Sequence, residues 1–423
     1  MNKVLIITYY WPPSGGAGVQ RWLKFSKYLP EFNWEPVILT VDPIFAVYPV
    51  IDDSLNTEIP DNIRIYQTKA TNWFRLYAKD KSIVPSAGFA KNNADNLKGK
   101  ISRFIRGNFF IPDPRKGWNR FAYKKAIEII ENEQIRYVIT TSPPHSSQLI
   151  GLKLKKRFPG IKWIADFRDP WTDIYYYSQF LQTPLAKYID SRYEKKVIRG
   201  SDLIISVGKT LSEILAKKTG DKKCDIQIIP NGFDEEDFSK IKIKTPDKFT
   251  ITYIGTLTEA YPIEILLVAL QKIKNKNHAF ILRFVGLIPE YLKRKIIDLL
   301  GEENTEFLPY VSHIEAIEYM ADSSLLLLLT PEHEHNRLII TGKLFEYSAI
   351  GKEILFIGPV DGDAADYLRL YGHNGIFSCI NPVEIEKFLV RNMISEKMPA
   401  FSKHPEFTRK ALTKKLSEIL NKI

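Results

Sequence analysis

Apolar residues in this chain fall into two alternating kinds of run. Short blocks with little polar interruption recur from Val4–Tyr9 (VLIITY) and Pro36–Val41 (PVILTV) through Tyr137–Thr141 and Lys162–Ala165 to Phe249–Gly255 (FTITYIG), Ile281–Val285, Ser324–Thr330 (SLLLLLT) and Glu353–Gly358. Their length and composition suit strands covered on both faces. Between them lie longer stretches whose apolar positions repeat every three or four residues. Val19, Trp22, Leu23, Phe25 and Leu29 start this series, and it continues through Phe121–Gln134, Gln148–Arg157, Ala186–Arg199, Leu211–Lys217, Ile263–Ile273, Tyr291–Leu300, Ile314–Ala321 and Lys343–Ile350. Such spacing predicts amphipathic helices. Strand alternating with helix predicts parallel sheets with crossover helices, an α/β fold.

The alternation runs twice. Polar and lysine-rich residues from Glu235 to Lys248 separate the two series, and Phe249–Gly255 opens the second as Val4–Tyr9 opens the first, with a strand leading into glycine. The expectation is two tandem Rossmann-like, doubly wound domains facing across a cleft. Residues 1–225 form the first and 226–400 the second, with 401–423 a basic amphipathic helix packing back on the first. About residues 68–118 lack periodicity and read as an insertion partly ordered over the surface.

Composition narrows the classes. A chain of 423 residues with 44% hydrophobic and 26% charged content is that of a globular protein with room for two cores. No apolar run reaches membrane-spanning length, and MNKVLIITYYWPP lacks a signal-peptide cleavage site. Cys224 and Cys379 show neither metal nor redox spacing and fit a reducing cytoplasm. The net charge of +11 is concentrated early, where Lys98, Lys100, Arg103, Arg106, Arg115, Lys116, Arg120, Lys124 and Lys125 interleave with Phe104, Ile105, Phe109, Phe110 and Trp118. A solvated basic face, an anionic membrane surface or a single-stranded nucleic acid would each account for this pattern. Among partners, the membrane is preferred to nucleic acid, which places the protein in the cytoplasm with peripheral attachment to the inner face of the membrane.

Candidate chemistry gathers at strand ends. In Thr341–Gly351 (TGKLFEYSAIG), a glycine and Lys343 precede a lone carboxylate, Glu346, at the start of a helix aimed at the sheet's carboxyl edge. Free amides there attract phosphate. Glu346 is either a solvated helix glutamate or a ribose ligand that accepts two hydroxyl protons. The loop Tyr10–Gly18 (YWPPSGGAG) lacks the spacing of a dinucleotide loop and the lysine of a P-loop. Asp166, Arg168 and Asp169, at the end of one strand, must pair with one another or face a ligand. Asp361-Gly362-Asp363 and the pair His333 and His335 have the spelling of metal sites but not the partners, and no metal is expected.

In order and spacing, YYWPPSGGAG, TSPPHSSQLIG, IADFRDPWTD, IIPNGFD, YIGTL and GKLFEYSAIGKEIL resemble segments of the retaining GT-B glycosyltransferases, of the large bacterial family 4 type that builds cell-surface polysaccharides and glycolipids. The resemblance implies metal-independent transfer of a sugar from a nucleotide-diphosphate donor, held by the second domain, to a glycan or lipid-linked acceptor held by the first, with no cofactor. By position it assigns Glu346 to the donor ribose and Gly342, Lys343 and the amides of Leu344 and Phe345 to the diphosphate. Asn231 and Gly232 fall at the hinge, Gly255 beside the nucleotide, and Gly15 and Gly16 at the acceptor and phosphate loop. Asp166, Arg168 and Asp169 fall on the catalytic acceptor side, where relatives often carry a histidine, and His145, at a different position from that histidine, is grouped with Gly15 and Gly16 at the acceptor and phosphate loop. Two departures stand out. Leu338 occupies the position of the family's first glutamate, and TLTEAYP lacks the basic pair that neutralises pyrophosphate, leaving Lys343 and Arg337 to supply that charge. A nucleotide-sugar epimerase and a non-catalytic sugar-binding or assembly protein remain as alternatives.

Overall fold

The structure is a computed structural model that describes residues 1–73, 97–174, 177–220, 224–395, 401 and 404–423. The chain divides into two compact units, one of Met1–Pro230 with Arg409–Ile423 and one of Asn231–Thr408.

The first unit begins with β1 (Asn2–Ile7), α1 (Ala17–Tyr28), β2 (Trp34–Val41), β3 (Arg64–Thr68), α2 (Leu97–Phe109) and α3 (Asn119–Glu133). It continues through β4 (Tyr137–Ser142), α4 (Gln148–Arg157), β5 (Lys162–Phe167), α5 (Pro184–Gly200), β6 (Leu203–Ser206), α6 (Lys209–Thr219) and β7 (Asp225–Ile228). The strands pair in parallel in the order β3-β2-β1-β4-β5-β6-β7. Order reverses between β1 and β4, so the loops leaving those two strands diverge and open a crevice above the sheet. Val4 and Ile6 face one core with Trp22, Leu23 and Phe25 of α1, while Leu5 and Ile7 face another with Ala122, Ala126 and Ile129 of α3. This two-sided burial explains the uninterrupted apolar run of β1.

The second unit holds α7 (Glu235–Phe238), β8 (Phe249–Ile254), α8 (Ile263–Asn275), β9 (Phe280–Val285), α9 (Glu290–Leu300), β10 (Thr305–Leu308) and α10 (His313–Ala321). Then come β11 (Leu325–Leu329), α11 (Gly342–Ile350), β12 (Glu353–Ile357), α12 (Asp363–Tyr371), β13 (Ile376–Phe377) and α13 (Pro382–Ile394). Its parallel sheet runs β10-β9-β8-β11-β12-β13, with the reversal between β8 and β11. Leu325, Leu327 and Leu329 enter the core under α8, α9 and α13, and Leu326 and Leu328 the core under α10, α11 and α12. The final helix, α14 (Arg409–Lys422), belongs to the first unit, where Leu412, Leu416, Ile419 and Leu420 join the core of Trp22 and Phe25.

Both doubly wound sheets agree with the α/β expectation. Of the supposed irregular region 68–118, residues 74–96 lie outside those described, and Leu97–Phe109 is a helix rather than a loop. Leu97, Ile101, Phe104 and Ile105 do recur at helical spacing, and Gly99 and Gly107, both poor helix formers, are what argue locally against a helix. Gly107 is there for packing, because a Cβ at that position would lie 2.2 Å from the Phe180 carbonyl oxygen.

Candidate functional site

In the second unit, the end of β8 and the start of α11 are held against each other. The Tyr347 hydroxyl accepts from the Ile254 amide (3.1 Å), and Lys343 Nζ donates to the Ile254 carbonyl (2.7 Å) while sitting 4.4 Å from the centre of the Tyr253 ring. Beyond Ile254 the chain turns through Gly255, whose φ of 117° suits only glycine, and a Cβ there would lie 3.0 Å from Lys343 Nζ. Gly286, after β9, is packed more tightly still, since its Cβ would come within 2.3 Å of the Gly255 carbonyl oxygen. Two strand-end turns thus meet backbone to backbone, with one ammonium group above them.

Thr341 is the N-cap of α11 but makes no side-chain cap. The Leu344 amide is already bonded to the Thr341 carbonyl (3.2 Å), and Phe345 lies beyond the four residues whose amides a helix leaves open. The amides open to an anion are therefore those of Gly342 and Lys343, earlier than the expected Leu344 and Phe345. The side chains of Leu344 and Phe345 are fully buried, and the Phe345 ring packs on Tyr367 and Phe407. Burial pushes the Lys343 ammonium down to about 8, with Glu346 opposing the shift.

Glu346, one turn into α11, is only 19% exposed along its side chain and accepts a hydrogen bond from His313 Nε2 (3.1 Å). A carboxylate can only accept, so the proton lies on Nε2. His313 opens α10 behind a capping box formed by Ser312 and Glu315. Periodicity does not single out this histidine. The SHIE spelling of a helix start is visible in the sequence, but its closeness to a residue 33 positions later is not.

In the first unit, the start of α1, the end of β4 and the loop after β5 meet beside the reversal point. Arg168 ties them together, with NH1 donating to the Gly18 carbonyl (2.6 Å), Nε to Ser142 (3.1 Å) and NH2 to Pro143 (2.9 Å). Asp166 does not pair with Arg168. It is fully buried and accepts from Arg21 Nε and NH2 (3.3 and 2.9 Å), Trp22 Nε1 (2.8 Å) and Thr141 Oγ1 (2.8 Å). Its carboxylate is thus saturated inside the unit and braces α1 against β5. Asp169 is half-buried beside Arg168; desolvation raises its pKa and the guanidinium opposes that shift. Gly16 is the N-cap of α1 with φ 88° and open space where a Cβ would stand, and the Gly15 amide bonds to Val50 (2.9 Å). His145 stacks on Trp171 (5.1 Å, 13° between planes), and burial, aided by Arg168, pushes its pKa down to about 3. The imidazole is therefore neutral at ordinary pH.

A family model described as Glycosyltransferase Family 4 matches residues 80–237, and one described as Glycosyl transferases group 1 matches residues 234–336. The fold is similar to that of a glycosyltransferase from Rickettsia africae, at 15% identity and TM-score 0.55 over 100% of this chain and 98% of that one. It is also similar to WaaG, a glycosyltransferase involved in lipopolysaccharide biosynthesis (13%, TM-score 0.52, 99% and 95%), and to S. aureus TarM in complex with Fondaparinux, alpha-GlcNAc-glycerol and UDP (10%, TM-score 0.58, 100% and 97%). Together these findings support a GT-B glycosyltransferase. No curated protein matches the chain.

The remaining glycosyltransferase positions fall as follows. Asn231 and Gly232 begin the second unit, directly after Pro230, whose carbonyl accepts from Arg21 NH1 (3.0 Å). Leu338, in the short helical turn before α11, is buried. Arg337 pairs with Asp361 (2.5 Å), so one carboxylate of Asp361-Gly362-Asp363 is already engaged, while Asp363 is buried at the start of α12. The rings of His333 and His335 stand 6.4 Å apart.

Proposed function

We propose that this glycosyltransferase moves a sugar from a nucleotide-diphosphate donor to a glycan or lipid-linked acceptor with retention of configuration. One observation carries the reading. Lys343, the open amides of Gly342 and Lys343 and the Gly255 turn lie together at the strand-order reversal of the second unit, with the Glu346 carboxylate one turn further along the same helix. The amides and ammonium suit a diphosphate, whose charge grows as the sugar departs, and the carboxylate suits two ribose hydroxyls. In this reading Lys343 replaces the absent basic pair after Gly255, and no metal is needed to neutralise the leaving group. Arg168 shapes the acceptor side by holding the start of α1 and the end of β4 to its own loop, and Asp169 with neutral His145 lines it. Screening nucleotide sugars by thermal shift identifies the donor. Glu346→Ala should then raise the donor KM about tenfold or more, on the scale of hydrogen bonds to a charged group. Unchanged donor affinity in that variant would sink the assignment. Incubating donor without acceptor excludes the epimerase alternative if no epimer forms.

The acceptor is proposed to be reached at an anionic membrane surface. Among the described residues no helix is long and apolar enough to cross a membrane. α2 carries no acidic residue, and it exposes Ile101, Phe104 and Phe109 among Lys100, Arg103 and Arg106. Exposed Leu181 continues the patch, since the Asn108 side-chain amide donates to its carbonyl (3.1 Å). The protein should float with anionic liposomes at low salt and be released at high salt. Absence from the floating fraction at low salt would reject the attachment.

A further inference from the structure

We infer that His313 is a positioning residue of the donor site: by donating from Nε2 to one oxygen of Glu346, it fixes the carboxylate in the orientation that reads the nucleotide's ribose. The inference rests on the ribose reading of Glu346 and extends it to a side chain on a different helix.

The imidazole lies between two carboxylates. Nε2 is 3.1 Å from Glu346 Oε1, and Asp237 Oδ2 of α7 is 3.9 Å from Nδ1 on the other side of the ring. Both the imidazole and Glu346 are largely buried, with side chains 15% and 19% exposed. A glutamate one turn into a helix has several rotamers, and holding it to one before the ligand arrives removes an ordering cost from binding. His313 has that reach because α10 packs beside α11, both covering one core with Ile317, Met320, Leu344 and Tyr347. The start of α10 does not depend on the ring, because the capping box uses only Ser312 and Glu315. Replacing His313 should therefore leave the helix intact and remove this one hold on the carboxylate.

Recognition of the ribose by Glu346 would appear as a preference for a 2′-hydroxyl, and positioning by His313 as a loss of that preference without loss of the nucleotide site. The probes are UDP, GDP, ADP and CDP with their 2′-deoxy counterparts, titrated calorimetrically into the full chain. For the base that binds, the wild type should prefer the ribonucleotide by about tenfold, the scale of one hydrogen bond to a charged acceptor. His313→Ala should reduce the preference to about two- to threefold while still binding the deoxynucleotide as the wild type does, and His313→Gln, which keeps a donor at that end of the side chain, should restore most of it. A general structural role for His313 would weaken both nucleotides equally and leave the ratio alone. Full preference in His313→Ala, alongside its loss in Glu346→Ala, would overturn the positioning role and leave the ribose reading standing. Full preference in Glu346→Ala, or binding of none of the eight nucleotides, would remove the ribose reading and this inference with it.

Discussion

At the scale of single residues, two side chains allow opposite tests. Asp166 and Arg21 are both fully buried, and the pair brings Trp22 and Thr141 into one network. Asp166→Ala would leave a buried guanidinium without its counter-charge, so stability should fall by about 3–5 kcal/mol. Urea unfolding checks this, and a variant of unchanged stability but lost turnover would instead give Asp166 a role in the chemistry. Lys343 is the reverse case, expected to affect binding. Its pKa lies below the ordinary lysine value, near 8, so the ammonium is present below that pH and lost as pH rises through it. Donor KM should accordingly climb above about pH 8, and Lys343→Arg, whose charge persists, should flatten the climb. A profile of donor KM between pH 6.5 and 9.5 for both proteins tests the sign. Legibility differed between these sites. The charges of DFRD could be seen in the sequence, but Arg21 is 145 positions from Asp166, and no local pattern links an arginine on the apolar face of a helix to a strand that far away. Leu338 could be seen as a departure, and its burial gives the reason a carboxylate would be costly there.

Elements were read best where burial on both faces left long apolar runs. β1, β2, β11 and β12 fall within a few residues of the expected spans because a strand under two layers of helix admits almost no polar residue. The apolar pattern does not mark α12, β13 or α13. α13 had a readable start, since Asn381 accepts from the Val383 amide and Pro382 occupies the first helical position, whereas β13 spans only Ile376 and Phe377 and offers no periodicity. α4 makes the demand on packing explicit. A Cβ on Gly151 would fall 2.1 Å from Trp163 Nε1, the atom that donates to Thr140 Oγ1. Gly151→Ala must therefore displace a buried indole, and a loss of about 1–3 kcal/mol is expected despite alanine's better helix propensity. Thermal melting decides it, and a gain in melting temperature would contradict the close approach.

Across the whole molecule, the first unit is assembled from two separated stretches of chain, with the second unit between them. α14 supplies Leu412, Leu416, Ile419 and Leu420 to the core that holds Trp22 and Phe25. Fully burying four such side chains is worth roughly 6–12 kcal/mol, comparable with the net stability of a domain. A chain ending at Thr408 should therefore lose the cooperative melt of the first unit. Limited proteolysis of that truncation should spare a fragment within Asn231–Thr408 and digest the rest. Survival of Met1–Pro230 as a resistant fragment would show the helix to be dispensable.

The same arrangement bears on how the protein is made. A ribosome that has finished the seven strands of the first sheet must still synthesise everything from Asn231 to Thr408 before the closing helix exists, a wait of about 10–40 s at typical elongation rates. Throughout that interval the newborn sheet carries an uncovered oily face on α1, so the nascent chain is a natural client for chaperones that shield such surfaces, and slowing translation lengthens its dependence on them.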